Sequence, residues 1–276
     1  MKTNFFKNKV CWITGASSGI GAALAHALDS MGASLILSAR DQYKLDMIKM
    51  HCASPEKIFV LPCDMEAKDT LPEVAVRAWN AFEGIDYVFL NAGMAVRDLI
   101  IHTDMVMFEK VMNINFLGNV AISRELIPLM QKKGGGCFVV TNSLSGKFGI
   151  PKLAAYSASK HALHGFFDSL RAEYEKDGIR VTMITAGLVK TNITLHALQG
   201  NGSLYGKMQE SVAAGIAPET CALSMLKAVS RGKSEALVGG LEIYSVWVKR
   251  FIPSLLRMAI SRHPMRRLRN AGILKG

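Results

Sequence analysis

A tyrosine and a lysine four residues apart, Tyr156 and Lys160, have the spacing and the chemistry of a proton-transfer pair. The alanine-rich residues after Pro151 favour a helix with no breaker before Gly165, and on a helix the two side chains lie one turn apart on one face. A free tyrosine has a pKa of about 10, and a neighbouring lysine ammonium lowers that pKa because it favours the phenolate. The phenol could then give or take a proton near neutral pH.

A serine at the end of a buried strand offers a second group for the same chemistry. Ser143 follows the apolar run Cys137–Asn142, which is typical of a strand in a core. If this strand end faces the helix, the serine hydroxyl and the Tyr156 phenol can meet at one carbonyl oxygen. The tyrosine and lysine alone are also compatible with an exposed pair on an ordinary helix, so the elements that would position them must decide.

A glycine-rich turn between a strand and a helix predicts a site for the phosphates of a dinucleotide. The strand Val10–Thr14 precedes the turn, and a helix follows from Ala22 to Ser30. Gly15 allows the tight turn, Gly19 lets the backbone approach the pyrophosphate, and Gly21 permits close packing of the helix on the strand. A tight turn without a ligand is the alternative. The candidate binding residues are Gly15, Ser17, Ser18, Gly19, Ile20 and Gly21.

The residues after the second predicted strand, Ser34–Ser38, bear on the choice of cofactor. An acidic residue at this place favours the free 2′-hydroxyl of NAD, whereas an arginine accommodates the 2′-phosphate of NADP. Ala39 and Arg40 occupy it, so the sequence favours NADP(H) over NAD(H). Asp41 could still reach back toward the ribose, and Arg40 could instead be a solvated loop residue.

Two later strand ends carry small or acidic residues suited to the adenosine half of a dinucleotide. Asp64 follows the strand Lys57–Cys63, and it could accept from the adenine amino group or cap the helix that begins near Leu71. The strand Gly84–Leu90 ends in Asn91-Ala92-Gly93, whose backbone could lie against the adenine ribose.

Asn115 lies among apolar residues in a long helix predicted from Phe108 to Gln131. A buried amide needs hydrogen-bond partners, so Asn115 is either a structural link or part of a proton path.

These motifs, in this order, make the chain similar to the short-chain dehydrogenase/reductase family over roughly residues 8–240. The resemblance implies an α/β fold with a doubly wound, seven-stranded parallel sheet of the Rossmann type, and a nicotinamide over Ser143 and Tyr156. It also implies four catalytic roles. Tyr156 would be the general acid/base, Lys160 the ribose ligand that tunes the tyrosine pKa, Ser143 the residue that orients the carbonyl, and Asn115 a member of the proton relay.

One position departs from the family pattern. The family usually has Pro-Gly after the sixth strand, whereas this chain has Ala186-Gly187, followed by Leu-Val189-Lys-Thr191. Because Gly187 and Thr191 are kept, the resemblance implies that Gly187, Val189 and Thr191 still serve the nicotinamide amide, on a looser turn.

The glycine-rich region 192–217 is predicted to be a mobile lid over the substrate. Its apolar residues, with those after Ser143, would form the wall of an apolar pocket, although several could instead pack in the core. These residues are Leu144, Phe148, Ile150, Leu195, Leu198, Leu204, Tyr205 and Met208. They favour a lipophilic carbonyl or alcohol, such as a steroid, a retinoid or a fatty-acyl compound.

The composition predicts one catalytic domain, which we assign to residues 1–242. The chain has 276 residues, 50% of them hydrophobic and 20% charged, which is enough for a large core. We expect neither a signal peptide, because the N-terminus is short and polar, nor a membrane span or a metal cluster. No CxxC pair occurs, so we interpret the cysteines as reduced thiols of a cytoplasmic protein: Cys11, Cys52, Cys63, Cys137 and Cys221.

Residues 243–276 form a basic extension. They hold eight Lys or Arg and no acid, which leaves only +3 of the net charge of +11 on the rest of the chain. The basic residues are Lys249, Arg250, Arg257, Arg262, Arg266, Arg267, Arg269 and Lys275. Apolar residues recur at helical spacing, interrupted at Pro253: Val246, Trp247, Phe251, Ile252, Leu255, Leu256, Ala259 and Ile260. Such an amphipathic helix could lie peripherally on an anionic membrane, pack on its own domain or form a dimer contact. No motif supports nucleic-acid binding.

The function predicted from the sequence is therefore an NADP(H)-dependent interconversion of a ketone or aldehyde and its alcohol. The alternative is a catalytically silent NADP(H)-binding scaffold or sensor. The resemblance further implies a homodimer or homotetramer with the helices 115–131 and 156–176 at the interface.

Overall fold

Seven parallel strands form the centre of the molecule, which the computed structural model describes for residues 4–261. The strands are β1 (Val10–Thr14), β2 (Ser34–Ser38), β3 (Ile58–Val60), β4 (Tyr87–Leu90), β5 (Gly136–Ser143), β6 (Ile179–Ala186) and β7 (Glu235–Val238). They lie in the order β3-β2-β1-β4-β5-β6-β7, and every neighbouring pair is parallel. The doubly wound seven-stranded sheet predicted from the sequence is confirmed.

Helices cover both faces of the sheet. They are α1 (Gly19–Ser30), α2 (Gln42–Met50), α3 (Leu71–Asn80), α4 (Met105–Met112), α5 (Gly118–Lys133), α6 (Ala154–Tyr174), α7 (Glu210–Ala213), α8 (Pro218–Ser230), α9 (Ser245–Phe251) and α10 (Pro253–Ser261). Successive side chains of a strand point to opposite faces of the sheet, so each strand contributes side chains to the core on either face. In β1, Ile13 packs in the core beneath α1 and α8, whereas Trp12 packs in the core beneath α3, α5 and α6.

The carboxyl ends of the strands meet at one edge of the sheet, and this edge collects the predicted site residues. In the strand register, Thr14 lies beside Ser38, and Ser143 lies beside Ala186. From β1 the chain winds outward to β2 and β3, and it then returns to place β4 on the other side of β1. In open α/β sheets a crevice forms at such a reversal, outside the carboxyl ends of the strands, and ligands bind there.

The helix predicted from Phe108 to Gln131 is broken in its middle by a π-helical turn. The turn comprises Asn113–Leu117 and joins α4 to α5 without a loop. A π-helical turn adds a residue to the helical repeat and is frequent at functional sites. Here it holds Asn115 with no exposed surface.

The C-terminal extension begins with a short 3₁₀ turn, Leu241–Tyr244, and continues as α9 and α10 on either side of Ile252. Neither helix has a buried residue. Trp247 and Phe251 stack on each other with ring centroids 6.1 Å apart, and both remain more than half exposed. Of the helices described, none has the length and apolar character needed to cross a membrane. Of the eight basic residues in the extension, five lie outside the described residues: Arg262, Arg266, Arg267, Arg269 and Lys275.

Candidate active site

The tyrosine, the lysine and the serine come together at the carboxyl edge of β5. Ser143 is the last residue of β5, and Tyr156 and Lys160 lie in the first two turns of α6. The Lys160 ammonium lies 5.6 Å from the centroid of the Tyr156 ring. Lys160 is only 4% exposed, and its Nζ donates to the backbone carbonyl of Thr141 at 2.8 Å. The alternative of an exposed pair on a surface helix is therefore wrong for Lys160.

Burial controls the acidity of both groups. It lowers the pKa of Lys160 from 10.5 to about 8, because the ammonium loses its hydration. It raises the pKa of the half-buried Tyr156 phenol, while the Ser143 hydroxyl acts in the opposite direction. The sequence suggested that the lysine lowers the tyrosine pKa, whereas in this structure desolvation raises the pKa. The phenol is thus held protonated at neutral pH, as a proton donor must be.

Asn115 links the π-helical turn to the loop after β4 and to α6. Its Oδ1 accepts from the Met94 N–H at 2.8 Å, and its Nδ2 donates to the Met94 carbonyl at 2.9 Å. The same Nδ2 donates to Ser159 Oγ at 3.0 Å, and Ser159 Oγ donates to the Tyr156 carbonyl at 2.8 Å. The structure therefore gives Asn115 the partners that a buried amide needs and connects it to the backbone of the tyrosine.

The glycine turn has the geometry that the sequence predicts. Gly15 and Gly19 adopt φ values of +67° and +55°, which side-chain-bearing residues rarely adopt. A Cβ on Gly21 would overlap the carbonyl oxygen of Gly15, so α1 approaches β1 as closely as glycine allows. A Cβ on Gly19 would lie 3.1 Å from Thr191 Cγ2, which places Thr191 across the turn.

Three other predicted binding residues lie at or just before the start of α1. Ser18 is the extended N-cap and is exposed, while Ser17 and Ile20 are half-buried. The Ser18 hydroxyl makes no capping hydrogen bond to the helix. Because α1 begins just after the carboxyl end of β1, its first N–H groups lie at the crevice end of the sheet, where an anion would be favoured.

Thr14 organises the strand ends on both sides of the reversal, although it was not among the predicted binding residues. Its Oγ1 accepts from the N–H groups of Asn91 and Ala92 at 3.0 and 3.1 Å. Asn91 donates to the Thr14 carbonyl at 3.2 Å and accepts from the Thr141 hydroxyl at 3.2 Å. A Cβ on Gly93 would lie 3.7 Å from Lys160 Nζ, so the Asn91-Ala92-Gly93 segment connects the glycine turn to the lysine.

Arg40 and Asp41 have different surroundings at the end of β2. The Ala16 N–H donates to the Ser38 carbonyl at 3.1 Å, which joins the glycine turn to this strand end. Arg40 is exposed beyond it. Asp41 instead caps α2, because its carboxylate accepts from the Lys44 N–H at 3.1 Å and pairs with Lys44 Nζ at 3.2 Å. The hydrogen bond from the Lys44 backbone is the main reason that the Asp41 pKa is lowered.

Asp64 lies half-buried after β3. Its Oδ1 accepts from the Glu66 N–H at 3.0 Å and so closes a local turn. It does not cap α3, whose N-cap is Thr70. The capping alternative is therefore wrong, and the adenine contact stays a prediction.

Gly187, Val189 and Thr191 follow β6 at the same edge of the sheet. The Gly187 N–H donates to the Val238 carbonyl at 2.8 Å, and Val189 forms a parallel bridge with Ile216. A residue that sequence reasoning missed also contacts this turn. Glu242 accepts a hydrogen bond from the Leu188 N–H at 2.8 Å, across 54 residues of chain.

Backbone hydrogen bonds hold the region 192–217 against the loop after β4. The Arg97 N–H donates to the Leu198 carbonyl at 2.8 Å, and the Asp104 N–H donates to the Gly200 carbonyl at 3.0 Å. The Gly200 N–H donates in turn to Asp98 Oδ2 at 3.2 Å. The predicted lid is thus docked in this structure.

The predicted pocket wall divides into an inner and an outer part. Leu144 and Phe148 are buried, and Leu198 packs on a small apolar cluster with Val96. Leu204 and Met208 lie on the surface instead, 61% and 37% exposed. Half-buried between these extremes are Ile150, Leu195 and Tyr205.

The fold and the site together define a dinucleotide-linked oxidoreductase, and comparison with known proteins gives the family. The short chain dehydrogenase family model matches residues 9–201. The chain belongs to the short-chain dehydrogenase/reductase family.

Similar proteins occur in insects and vertebrates. The chain is 36% identical over 258 residues to the Drosophila melanogaster dehydrogenase/reductase SDR family protein 7-like, covering 91% of this chain and 79% of that protein. It is 34% identical over 278 residues to the Xenopus laevis dehydrogenase/reductase SDR family member 7B, covering 98% and 86%.

Solved structures show the same fold. A short-chain dehydrogenase/reductase from Burkholderia phymatum in complex with NAD superposes with a TM-score of 0.79 at 21% identity, covering 91% of this chain and 95% of that one. A variant of ElxO with NADPH bound superposes with a TM-score of 0.64 at 26% identity, covering 67% and 75%.

Proposed function

We propose that this protein uses NADP(H) to interconvert a lipophilic ketone or aldehyde and its alcohol. The observation that carries the proposal is the convergence of Ser143, Tyr156 and Lys160 at the strand edge that also holds the glycine turn. Membership of the family supports oxidoreductase chemistry and a nicotinamide cofactor. The residues 1–242 form the catalytic unit in this proposal.

The bound nicotinamide would supply or accept the hydride. In reduction, Tyr156 donates its phenolic proton to the carbonyl oxygen, and Ser143 donates a hydrogen bond that orients this oxygen. Lys160 holds a nicotinamide ribose hydroxyl and stabilises the phenolate after proton transfer. Asn115 connects the lysine to a proton path, and its contact with Ser159 keeps it beside the tyrosine backbone.

The proposed preference for NADP(H) rests on the end of β2. Arg40 is exposed there and can pair with a 2′-phosphate, whereas the Asp41 carboxylate is engaged in capping α2. An acid that is already capping a helix is less able to select the 2′-hydroxyl of NAD(H). Asp64, Asn91, Ala92 and Gly93 would contact the adenosine half, and Gly187, Val189 and Thr191 the nicotinamide amide.

The proposal of a lipophilic substrate rests on apolar side chains near Ser143 and in the region 192–217. Leu144 and Phe148, one and five residues after Ser143, are buried, and Leu198 packs with Val96 in a small apolar cluster. A pocket wall of this kind favours an apolar ligand that offers one polar group to the catalytic residues.

We further propose that α9 and α10 hold the protein on the surface of an anionic membrane, on the cytoplasmic side. Five large apolar side chains on these helices and at the Ile252 junction between them are 41–73% exposed: Trp247, Phe251, Ile252, Leu255 and Met258. Lys249, Arg250 and Arg257 accompany them, and Lys249 donates to the Lys147 carbonyl at 3.2 Å. This contact lies four residues after Ser143, so the membrane would be near the catalytic groups and a source of lipophilic substrate.

A turnover screen tests the proposed activity. The full chain is incubated with NADPH and a panel of ketones and aldehydes that ranges from small polar compounds to steroids, retinoids and long-chain aldehydes. We expect NADPH oxidation with lipophilic members of the panel. Tight NADPH binding without turnover of any compound would favour the scaffold or sensor instead. A homodimer or homotetramer through α5 and α6 is part of the proposal and is tested by light scattering of the same sample.

A further inference from the structure

The turn after β6 is restrained by backbone contacts to two neighbouring segments. The Gly187 N–H donates to the Val238 carbonyl at 2.8 Å, at the end of β7. The Leu188 carbonyl accepts from the Ile216 N–H at 3.0 Å, and the Lys190 N–H donates to the Ile216 carbonyl at 2.9 Å. The N–H of Leu188 donates to neither of these segments and requires another acceptor.

The carboxylate of Glu242 is that acceptor. Its Oε1 accepts from the Leu188 N–H at 2.8 Å and from the Gly240 N–H at 2.9 Å. Hydrogen bonds to an ionised acceptor are stronger than those between neutral groups. One carboxylate oxygen therefore joins the turn after β6 to the turn after β7.

Glycine makes room for this carboxylate on both turns. A Cβ on Gly187 would overlap Glu242 Oε1, and a Cβ on Gly239 would lie 2.6 Å from the same atom. The backbone of Glu242 is itself fixed, because its carbonyl accepts from Ser245 Oγ at 2.5 Å at the start of α9. The carboxylate is thus pre-positioned rather than a side chain that happens to touch the turn.

We propose that Glu242 is a positioning residue, which holds the 187–191 turn in the shape required by the nicotinamide half of the cofactor. The inference rests on the proposed function, in which Gly187, Val189 and Thr191 serve the nicotinamide amide. A proline before Gly187 would fix its own φ angle through its ring, whereas Ala186, the last residue of β6, lacks that covalent restraint. Glu242 supplies a restraint from outside the turn.

Calorimetric titration of the full chain with two ligands tests this inference. NADPH probes both halves of the site, and adenosine 2′,5′-bisphosphate probes the adenosine half alone. For Glu242→Ala we expect NADPH affinity to fall about tenfold, the scale of one lost charge-assisted hydrogen bond, with affinity for the bisphosphate within about twofold of the unsubstituted protein. Glu242→Gln keeps an acceptor oxygen and is expected to retain NADPH affinity within about threefold.

Hydrogen exchange of the cofactor-free protein tests the contact itself. In Glu242→Ala, the backbone amides of Leu188 and Gly240 should exchange faster than in the unsubstituted protein. Glu73→Ala is the matched control, because Glu73 is an exposed residue of α3, and it should change neither the exchange nor the affinities.

Three results would overturn the inference: unchanged NADPH affinity in Glu242→Ala, equal loss of affinity for both ligands, or no rescue by Glu242→Gln. Unaltered exchange at Leu188 would do the same. Failure of the unsubstituted protein to bind NADPH is a different result, because it would refute the proposed function on which the inference rests.

Discussion

The Lys160 ammonium donates a 2.8 Å hydrogen bond to the carbonyl of Thr141, two residues before Ser143 on β5. One strand therefore fixes the lysine by its backbone and carries the serine at its end. The lysine reaches this carbonyl from α6, so the helix and the strand cannot shift relative to each other without breaking a charge-assisted bond. The relative positions of Tyr156 and Ser143 depend on this contact.

Burial of Lys160 predicts an unusual dependence of stability on pH. Its pKa falls from 10.5 in the unfolded chain to about 8 in the folded one, so the unfolded state binds more protons between these values. The penalty for burying the ammonium is full below about pH 8 and is relieved as the pH rises toward 10.5. At about 1.4 kcal/mol per pKa unit, this is a gain on the order of 3 kcal/mol.

Denaturant unfolding of the cofactor-free protein and of Lys160→Met measures this effect. The stability of the unsubstituted protein relative to Lys160→Met should rise from pH 7.5 to 10. The difference between the free energies of unfolding of the two proteins at each pH removes the contribution of the other titrating groups. Parallel pH profiles for the two proteins would show that the lysine keeps an ordinary pKa in the folded state.

Replacing Tyr156 by phenylalanine should remove the transferable proton and keep the ring. We expect kcat for carbonyl reduction to fall by about 10²–10⁴-fold, with NADPH affinity largely retained. Lys160→Met should lower both kcat and NADPH affinity, because the lysine is proposed to hold the ribose of the cofactor and to stabilise the phenolate. Steady-state kinetics with calorimetric cofactor titration separates the two effects. Full activity of Tyr156→Phe would exclude the phenol as the proton donor.

Arg40→Asp should reverse the cofactor preference. It replaces a partner of the 2′-phosphate by a repelling charge, so NADPH affinity should fall about a hundredfold and NADH affinity should change little. Arg77→Asp is the matched control, since Arg77 is exposed on α3 and undergoes the same change of charge. Equal weakening of both cofactors by Arg40→Asp would mean that Arg40 does not meet the phosphate.

Two glycine-to-alanine variants in helices should have opposite effects. At one position the added Cβ overlaps another atom, and at the other it only reduces the backbone entropy of the unfolded chain. Gly21→Ala should abolish dinucleotide binding or destabilise the protein, because the new Cβ would overlap the Gly15 carbonyl oxygen. Gly165→Ala in α6 meets no atom within 4 Å and should stabilise the protein by about 0.5–1 kcal/mol. Thermal unfolding and NADPH titration measure both outcomes. Unchanged binding in Gly21→Ala would show that the turn can open.

The C-terminal helices are predicted to bind anionic vesicles. Each lysine or arginine near such a surface contributes about 1 kcal/mol, so binding should occur at low salt and be lost at high salt. Deleting the residues after Glu242 tests the segment as a whole. Phe251→Asp should weaken co-sedimentation, whereas Leu223→Asp, on an apolar residue of α8 that is also more than half exposed, should not.

Two other outcomes of the vesicle experiment point to different roles for the helices. If vesicles bind the deleted protein equally well, the membrane contact lies elsewhere, most simply on the exposed lid residues. If vesicles bind neither protein and the deletion lowers stability, the helices pack on protein instead.

The sequence predicts the central strands well and the edge strand less well. β1 and β2 are continuous apolar runs between turn residues, and their observed bounds match the prediction. The third strand was predicted as Lys57–Cys63, whereas its regular pairing covers only Ile58–Val60. The N–H groups of Leu61 and Cys63 still donate to the Leu37 and Ala39 carbonyls, so the chain follows β2 beyond the end of the strand. The π-helical turn at Asn115 was also missed, since residue types do not distinguish it from the surrounding α-helix.

Local spacing reveals the candidate site only where its residues are close in the chain. Tyr156 and Lys160 share a helix and were found from their spacing. The contacts of Thr14 with Asn91 and of Leu188 with Glu242 join residues 77 and 54 positions apart, and no sequence pattern marks them. The direction of the Tyr156 pKa shift depends on burial, which only the packed structure provides.

The position of β1 inside the sheet determines which strand edges are exposed while the chain is being synthesised. β1 pairs with β2 on one side and with β4 on the other, where Tyr87 lies opposite Cys11. A nascent chain that has completed β3 therefore exposes an open edge of β1 until residues 87–90 are synthesised. Unpaired edges promote association with other chains, and parallel pairings between distant segments form slowly. The interval between β3 and β4 is thus one stage of synthesis at which an unpaired strand edge favours association with other chains.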